Sequence, residues 1–402
     1  MNKIKILFVG FPFSIHTARW IANFIDTEKF DIHLISSIQY DYNIHPSLKE
    51  ITYHVNRYEL KSVHEGIVIK PLDILGRFNL NFNITFLNRL FKIIFRKLSL
   101  VSKLRPGIIK TIRSLKPDII HTLESQSAGY ILSDIYQKEN IRIPWIHSVW
   151  GIDFDYYIEN EYHRSKLESM LVNIKILFVE GTRDVIYAQK LGYKNKIEIM
   201  QSTGGISSKD IKKMCNNTER KIILLKGYDE KPRLGINGFH ALLNCIDLIN
   251  QNNLQVVIYS CGEKLTHLIN EYNRESLNSP FRIAEEMSRE EFIDLNLKSL
   301  ITININDTDG MPNSILEGMA NGAIPIASNK SCLNDIIENN ENGFLLNPYD
   351  INEISNCIKW IVNNKSLLED IRIKNQQLII SRYNFEEYRD QIQRFYKSLV
   401  TL

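Results

Sequence analysis

Short apolar runs alternate with longer amphipathic stretches along the whole chain, as expected when parallel strands are joined by helices that cover both faces of a sheet. In the first half the runs lie at residues 5–9, 32–35, 51–55, 119–121, 145–149, 176–179 and 197–200. A second series lies at 221–226, 256–260, 282–284, 300–305, 323–328 and 344–346. Each run is brief and apolar, so both of its sides must be covered. The pattern predicts an α/β chain with two wound sheets. From residue 351 onward there is no strand pattern, and the tail reads as successive helices closing on FEEYRDQIQRFYKSLV.

At 402 residues the chain exceeds one ordinary core and suits two domains. The stretch QSTGGISSKDIKKMCNNTER between the two series is rich in Gly, Ser, Asn and charge, as expected of a linker at a cleft edge. The expected division is 1–204 for an N-terminal domain, 205–383 for a second domain and 384–402 for a last helix that returns to the first. Hydrophobic residues at 44% and charged residues at 24% exclude a disordered or fibrous chain. The first apolar run is too short for a signal peptide, and no run reaches the roughly 18 to 20 residues of a spanning helix. The expected location is therefore cytoplasmic. Cys215, Cys245, Cys261, Cys332 and Cys357 are widely spaced, with neither a CxxC pair nor a histidine at ligand spacing. They are expected as buried free thiols, not as disulfides or zinc ligands.

The segment SLITININDTDGMPNSILEGMANGAIPIAS holds the most chemistry. A strand ends in a polar turn, Pro312 opens a helical run, and Asn321-Gly322 closes it. A helix N-terminus at the carboxyl end of a parallel strand offers the amides of Asn313, Ser314 and Ile315, with the helix dipole, to a phosphate. Asp309 precedes the helix and Glu317 lies one turn inside it, on the side of Asn313. Carboxylates beside a phosphate site must face its neutral neighbours, the hydroxyls of sugar and ribose.

This stretch resembles the signature of glycosyltransferase family 4, in which two acids separated by seven residues precede a small-residue strand and a later Asn-Gly turn. Asp309, Glu317, the run Gly322-Ala323-Ile324-Pro325 and Asn342-Gly343 keep that spacing, with aspartate in place of the first glutamate. The resemblance implies the GT-B architecture: two Rossmann-like domains facing a central cleft, and transfer from a nucleotide diphosphate sugar with retention. It implies that Glu317 binds the ribose and Asp309 the donor sugar. In ILLKGYDEKPRLG, Lys226 ends a strand and Arg233 follows, where the family places two cations on the donor diphosphate. Lys231 is an alternative to Arg233. The need is physical, because cleavage of the sugar–phosphate bond leaves a diphosphate whose growing charge must be stabilised. Fixed cations and helix amides do this without a metal, so the resemblance implies neither metal nor cofactor beyond the sugar nucleotide as co-substrate.

In the N-terminal half, KIKILFVGFPFSIHTARW places Gly10, a donor-binding candidate, where the family has a Gly-rich loop facing both substrates, although Phe11-Pro12-Phe13 replaces the usual second glycine. His16, Thr17, Arg19 and Trp20 resemble a family string, and His16 and Arg19 are candidates for the cleft wall. KPDIIHTLESQ resembles the stretch that ends a strand at His121, and a strand-end histidine points into the cleft of an open sheet. His121 and Asp309 are the residues assigned to the reaction centre, positioning sugars instead of acting as an acid and base pair. Glu124, Gln126 and Asp153 are further cleft candidates. Asp153-x-Asp155 has the look of a metal-binding pair from the other main glycosyltransferase fold, a reading the GT-B pattern opposes. Glu180, Arg183, Asp184 and Gly204-Gly205 match family strings by position alone.

Two other readings stay open: a sugar-nucleotide 2-epimerase using the same nucleotide site, and a non-catalytic partner subunit. The acceptor is expected to be a glycan or a lipid-linked glycan of capsule, lipopolysaccharide or another cell-surface polysaccharide. From residue 74 to 117 the chain has no acid but carries Arg77, Arg89, Lys92, Arg96, Lys97, Lys103, Arg105, Lys110, Arg113 and Lys116, interleaved with apolar and aromatic residues. This suits peripheral binding to an anionic membrane on its inner face. No recognition motif for nucleic acid accompanies the charge.

Overall fold

The computed structural model describes residues 3–25, 28–38, 44–48, 51–54, 101–201, 204–216 and 219–400. Both predicted series of strands form, each as one parallel sheet. The first contains β1 (Ile4–Gly10), β2 (Phe30–Ser36), β3 (Thr52–His54), β4 (Ile119–Leu123), β5 (Trp145–Ser148), β6 (Ile176–Val179) and β7 (Lys196–Ile199). Its order is β3-β2-β1-β4-β5-β6-β7. The second contains β8 (Ile222–Lys226), β9 (Gln255–Tyr259), β10 (Phe281–Ile283), β11 (Ser299–Asn304), β12 (Ile324–Ser328) and β13 (Phe344–Leu346), ordered β10-β9-β8-β11-β12-β13.

Alternation along β1 shows why these runs had to be apolar throughout. Ile6 and Phe8 pack to one side with Trp20 and Phe24, while Leu7 and Val9 pack to the other with Ile120 and Ile131. In each sheet the strand order reverses beside its first strand, at β1/β4 and at β8/β11. Adjacent loops leave those strands in opposite directions, which opens a crevice at their carboxyl ends. The segments after β1, β4, β5, β8 and β11 carry most of the predicted site residues.

The last helix, Phe385–Val400, returns to the first sheet. Ile392 and Tyr396 join the core around Phe8 and Trp20. Arg389 Nη2 donates to the Ile25 carbonyl at 2.7 Å, and Gln393 Nε2 to the Asn23 carbonyl at 2.7 Å. The chain crosses between sheets where Ile206 exchanges hydrogen bonds with Tyr383 and Phe385, at 2.7 and 3.0 Å. Gly205 makes that crossing feasible: its φ is +95°, and a β-carbon there would lie 2.7 Å from the Tyr383 carbonyl oxygen.

Candidate active site

The carboxyl ends of both sheets enclose a cleft of about 1190 Å³. Of the residues expected there, His16, Arg19, Glu124, Asp153, Lys226, Arg233, Asp309, Asn313, Ser314 and Glu317 line it. Gly10, His121 and Ile315 do not.

One corner of the cleft is ionic. Lys226 closes β8, and the following turn brings back Arg233, which pairs with Asn306 as an isolated bridge beside β11. Arg233 Nη1 lies 2.8 Å from Asp309 Oδ2. Asp309 also accepts from Asn306 Nδ2 at 2.8 Å and from the Gly310 amide at 2.9 Å. Burial alone would push the Asp309 carboxyl up, but Arg233 and Lys226 outweigh it and hold it below the ordinary range. Lys226 is held below its usual value by burial first and by Arg233, against the pull of Asp309 and Glu317.

The helix Asn313–Ala320 begins at this corner, with Pro312 as its cap residue. Its start is tighter than the sequence suggests. The Ile315 amide donates to the Pro312 carbonyl at 3.0 Å, so Ile315 is corrected from anion ligand to core residue, being fully buried. Asn313 and Ser314 remain at the cleft. One turn on, Glu317 is almost enclosed, and its Oε1 accepts from Arg19 Nη1 at 3.3 Å and Arg289 Nη1 at 2.5 Å. Arg289 is aimed by Asp210, whose Oδ2 lies 2.7 Å from its Nη2. Sequence reasoning missed Arg289. The capping box Ser288–Glu291 announces the helix that carries it, but nothing local announces a partner 28 residues away.

His121 is corrected in the same way. Its strand runs on to Leu123, so the residue that emerges at the carboxyl end is Glu124, not His121. The histidine is fully buried beneath the last helix, with Nε2 2.8 Å from Ser148 Oγ and Nδ1 against the Tyr396 hydroxyl. Burial, then His147, keeps it neutral. Gly10 also lies under the wall, its α-carbon side against Leu123.

His16 opens on the cleft, with its ring 5.6 Å from that of Trp150. Desolvation between the two walls, then Arg19, Lys226 and Arg233, lower its pKa to about 4 against the pull of Asp309. Glu124, at φ 85°, caps its own loop through the Ser127 amide at 2.7 Å. Asp153 accepts from the amides of Ser125 and Trp150 at 2.9 and 3.0 Å. Burial raises both carboxyls, and the neighbouring Glu124 drives Asp153 further up. Asp155 points elsewhere, to the Tyr187 hydroxyl. Among the described residues no cluster of His, Cys, Asp and Glu could hold a metal ion.

Two further residues hold the Asp309 loop. Arg183 reaches it from the N-terminal half, donating to the Asp309 carbonyl at 2.6 Å, the Thr308 hydroxyl at 3.1 Å and the Gly151 carbonyl at 2.9 Å. Glu180 accepts from the Gly151 and Met311 amides at 2.9 and 3.2 Å. The loop holding Asp309 is thereby fixed from both domains.

Much of the basic stretch 74–117 lies outside the described residues. Within its described part, Arg105 and Arg113 pair with Asp134 and Glu139, each at 2.6 Å. No described helix is long and apolar enough to cross a membrane.

Known protein families match both halves of the chain. Residues 5–180 match the family described as glycosyl transferase 4-like, and residues 208–378 match glycosyl transferases group 1. Comparison with curated proteins gave no match. Similar solved structures include sucrose-phosphate synthase from Thermosynechococcus elongatus, at 13% identity and a TM-score of 0.72 over 99% of this chain and 100% of that one. HepE from Anabaena in complex with UDP-glucose gives 12% and 0.70 over 98% and 100%. A glycosyltransferase from Rickettsia africae gives 16% and 0.64 over 100% and 99%. The architecture is the GT-B fold.

Proposed function

We propose, for a chain that belongs to the family 4-like glycosyltransferases, that it moves a sugar from a nucleoside diphosphate sugar to a hydroxyl of a glycan or lipid-linked acceptor with retention. The observation that carries this reading is the ionic corner, where Lys226, Arg233 and the start of helix Asn313–Ala320 converge on space flanked by Asp309 and Glu317. The cations and helix amides suit a diphosphate. The carboxylates suit the hydroxyls on either side of it, Glu317 toward ribose and Asp309 toward the donor sugar.

In the reaction the bond from the anomeric carbon to the diphosphate oxygen breaks, and a bond to the acceptor oxygen forms on the same face. The departing diphosphate takes the acceptor proton, and Lys226 and Arg233 neutralise its charge. Retention rests on the family resemblance. No metal or other cofactor enters the proposal, because the fixed cations meet the diphosphate charge. Arg19 and Arg289 share Glu317 Oε1, which leaves Oε2 for ribose. An acceptor from cell-surface polysaccharide, with the protein peripheral at the cytoplasmic face of the membrane, rests on the basic composition of residues 74–117.

The test starts with a thermal-shift screen of uridine, guanosine, adenosine and cytidine diphosphate sugars, since a ligand at a hundred times its Kd stabilises by about 2.7 kcal/mol. With the donor so identified, Glu317→Ala and Lys226→Ala are each expected to lower transfer by at least about a hundredfold with folding intact. Turnover like that of the wild type in both variants would sink the assignment.

A further inference from the structure

Residues 151–163, GIDFDYYIENEYH, carry a row of aromatic side chains that leads out of the cleft. Tyr157 lines the cleft. Its ring centroid lies 5.2 Å from that of Tyr156 and 4.6 Å from that of His163, and His163 lies 5.2 Å from Tyr162. Tyr156 is 43% exposed and Tyr162 62%. These rings meet steeply, at 88° for Tyr156–Tyr157 and 80° for Tyr162–His163, so an edge of one meets a face of the next.

The row rests on buried and hydrogen-bonded residues. Phe154 and Ile158 are buried and turn the residues between them outward. Asn160 caps the helix Glu161–Leu171 through the His163 amide at 3.2 Å, and the Tyr130 hydroxyl lies 3.1 Å from His163 Nδ1. Isolated exposed tyrosines are ordinary, whereas a contiguous set joined to a ligand cleft marks a binding surface. Tyrosine offers a flat apolar face with a polar tip. A pyranose is its complement, with a C–H face that stacks on a ring and hydroxyls at its edge.

Charge narrows the ligand. The segment holds Asp153, Asp155, Glu159 and Glu161 but no lysine or arginine, and Glu159 and Glu161 are exposed. Glu159 and Glu161, the two exposed acids, repel anionic glycans and anionic lipid, and they accept hydrogen bonds from neutral sugar hydroxyls.

We propose that Tyr156, Tyr157, Tyr162 and His163 form an acceptor subsite for successive rings of a neutral oligosaccharide, so that the acceptor is a glycan chain and not a single sugar. The proposal rests on the transferase reading for the word acceptor, but not for sugar binding.

The test compares wild type with the double variant Tyr156→Ala, Tyr162→Ala, both positions being exposed and outside the core. The probes are glucose, mannose, galactose and N-acetylglucosamine, each as monosaccharide and linear trisaccharide, with trigalacturonate as the anionic counterpart. Binding is read by ligand-observed NMR. At least one neutral trisaccharide is expected to bind about tenfold tighter than its monosaccharide, equivalent to about 1.4 kcal/mol. The double variant should lose that increment while nucleoside diphosphate sugars still shift its melting temperature as in the wild type. The proposal is overturned if no trisaccharide outbinds its monosaccharide, if the variant binds as the wild type does, or if trigalacturonate is preferred. It also fails if the variant loses binding to vesicles containing phosphatidylserine, which would make the row a membrane face. Nucleotide binding without tyrosine-dependent glycan binding removes only the subsite. Glycan binding without any nucleotide binding removes the transferase reading and keeps the subsite.

Discussion

Arg233→Gln probes the ionic corner without requiring any knowledge of the donor. In the wild type, Arg233 Nη1 stands 2.8 Å from Asp309 Oδ2, with side-chain exposures of 27% and 10%. Removing one partner of a buried ion pair costs about 3–5 kcal/mol when nothing else neutralises the other. Here Lys226 still faces Asp309, Asn306 Nδ2 still donates to it at 2.8 Å, and water reaches part of Arg233. The expected cost is therefore smaller, about 2 kcal/mol near pH 7.5. At about 2–4 °C per kcal/mol for a domain of this size, the melting temperature should fall by about 4–8 °C.

The pH dependence distinguishes electrostatics from packing. The wild-type Asp309 carboxyl is held below its ordinary value, so its contribution to stability is present above the unfolded pKa near 3.9 and is lost as pH falls through the folded value. Without Arg233, burial, already the largest single influence, is opposed by Lys226 as the one remaining cation, and the carboxyl moves upward. The folded variant then takes up a proton more readily than the unfolded chain, so its relative stability improves as pH falls. Melting curves at pH 8, 7, 6, 5 and 4 should show the gap between the two proteins widest at the top of the range and closing toward pH 4. A gap that stays constant across the series would show that Arg233 acts by packing alone, and the account of the corner would be wrong.

Three other perturbations separate the parts of the structure. A β-carbon at Gly310 would lie 1.6 Å from Glu180 Oε2 and 2.7 Å from the Gly151 α-carbon, so Gly310→Ala should cost about 1–3 kcal/mol and lower kcat/KM. Unaltered melting and turnover would mean that the two cleft walls do not meet there. Tyr396→Phe strips a hydroxyl from buried Trp20 Nε1 and His121, which should cost about 1–3 kcal/mol and leave donor affinity unchanged. Weaker donor binding at full stability would return His121 to the cleft. Because the His16 pKa is lowered to about 4, His16→Asn should alter the level of activity but not the shape of its profile between about pH 5.5 and 8. Loss of a titration limb near neutrality is the contrary result.

How much of this was legible in the sequence depended on how local the cause was. The strands were legible because a run covered on both faces admits few polar residues, as at β1, where Ile6, Leu7, Phe8 and Val9 are all fully buried. Lys226 was legible as the cation that ends an apolar strand, and Glu317 through its spacing from Pro312 and Asp309. His121 was misjudged because β4 continues through Thr122, a polar residue that reads as a strand end but is buried against His147 and Trp145. Ile315 was misjudged because the first helical turn closes on itself through Pro312, a matter of one hydrogen bond that composition does not report.

The residues that sequence reasoning undervalued have remote partners, although Arg183 also pairs with its neighbour Asp184 at 2.8 Å. Arg183 and Glu180 bind backbone groups at Gly151, Asp309 and Met311, and Arg183 also the Thr308 hydroxyl; no periodic pattern marks a side chain whose partner is a distant carbonyl or amide. Their effect reaches the ionic corner nonetheless. Asp309 holds Arg233 through its side chain while its carbonyl is held by Arg183, so the N-terminal sheet sets the position of a group that belongs, in sequence, to the C-terminal one. The ionic corner is therefore a product of both domains, ordered by hydrogen bonds from each. In the proposed transfer, charges fixed in this way would spare the cost of arranging them as the diphosphate departs, which is where fixed electrostatics contribute most to a rate.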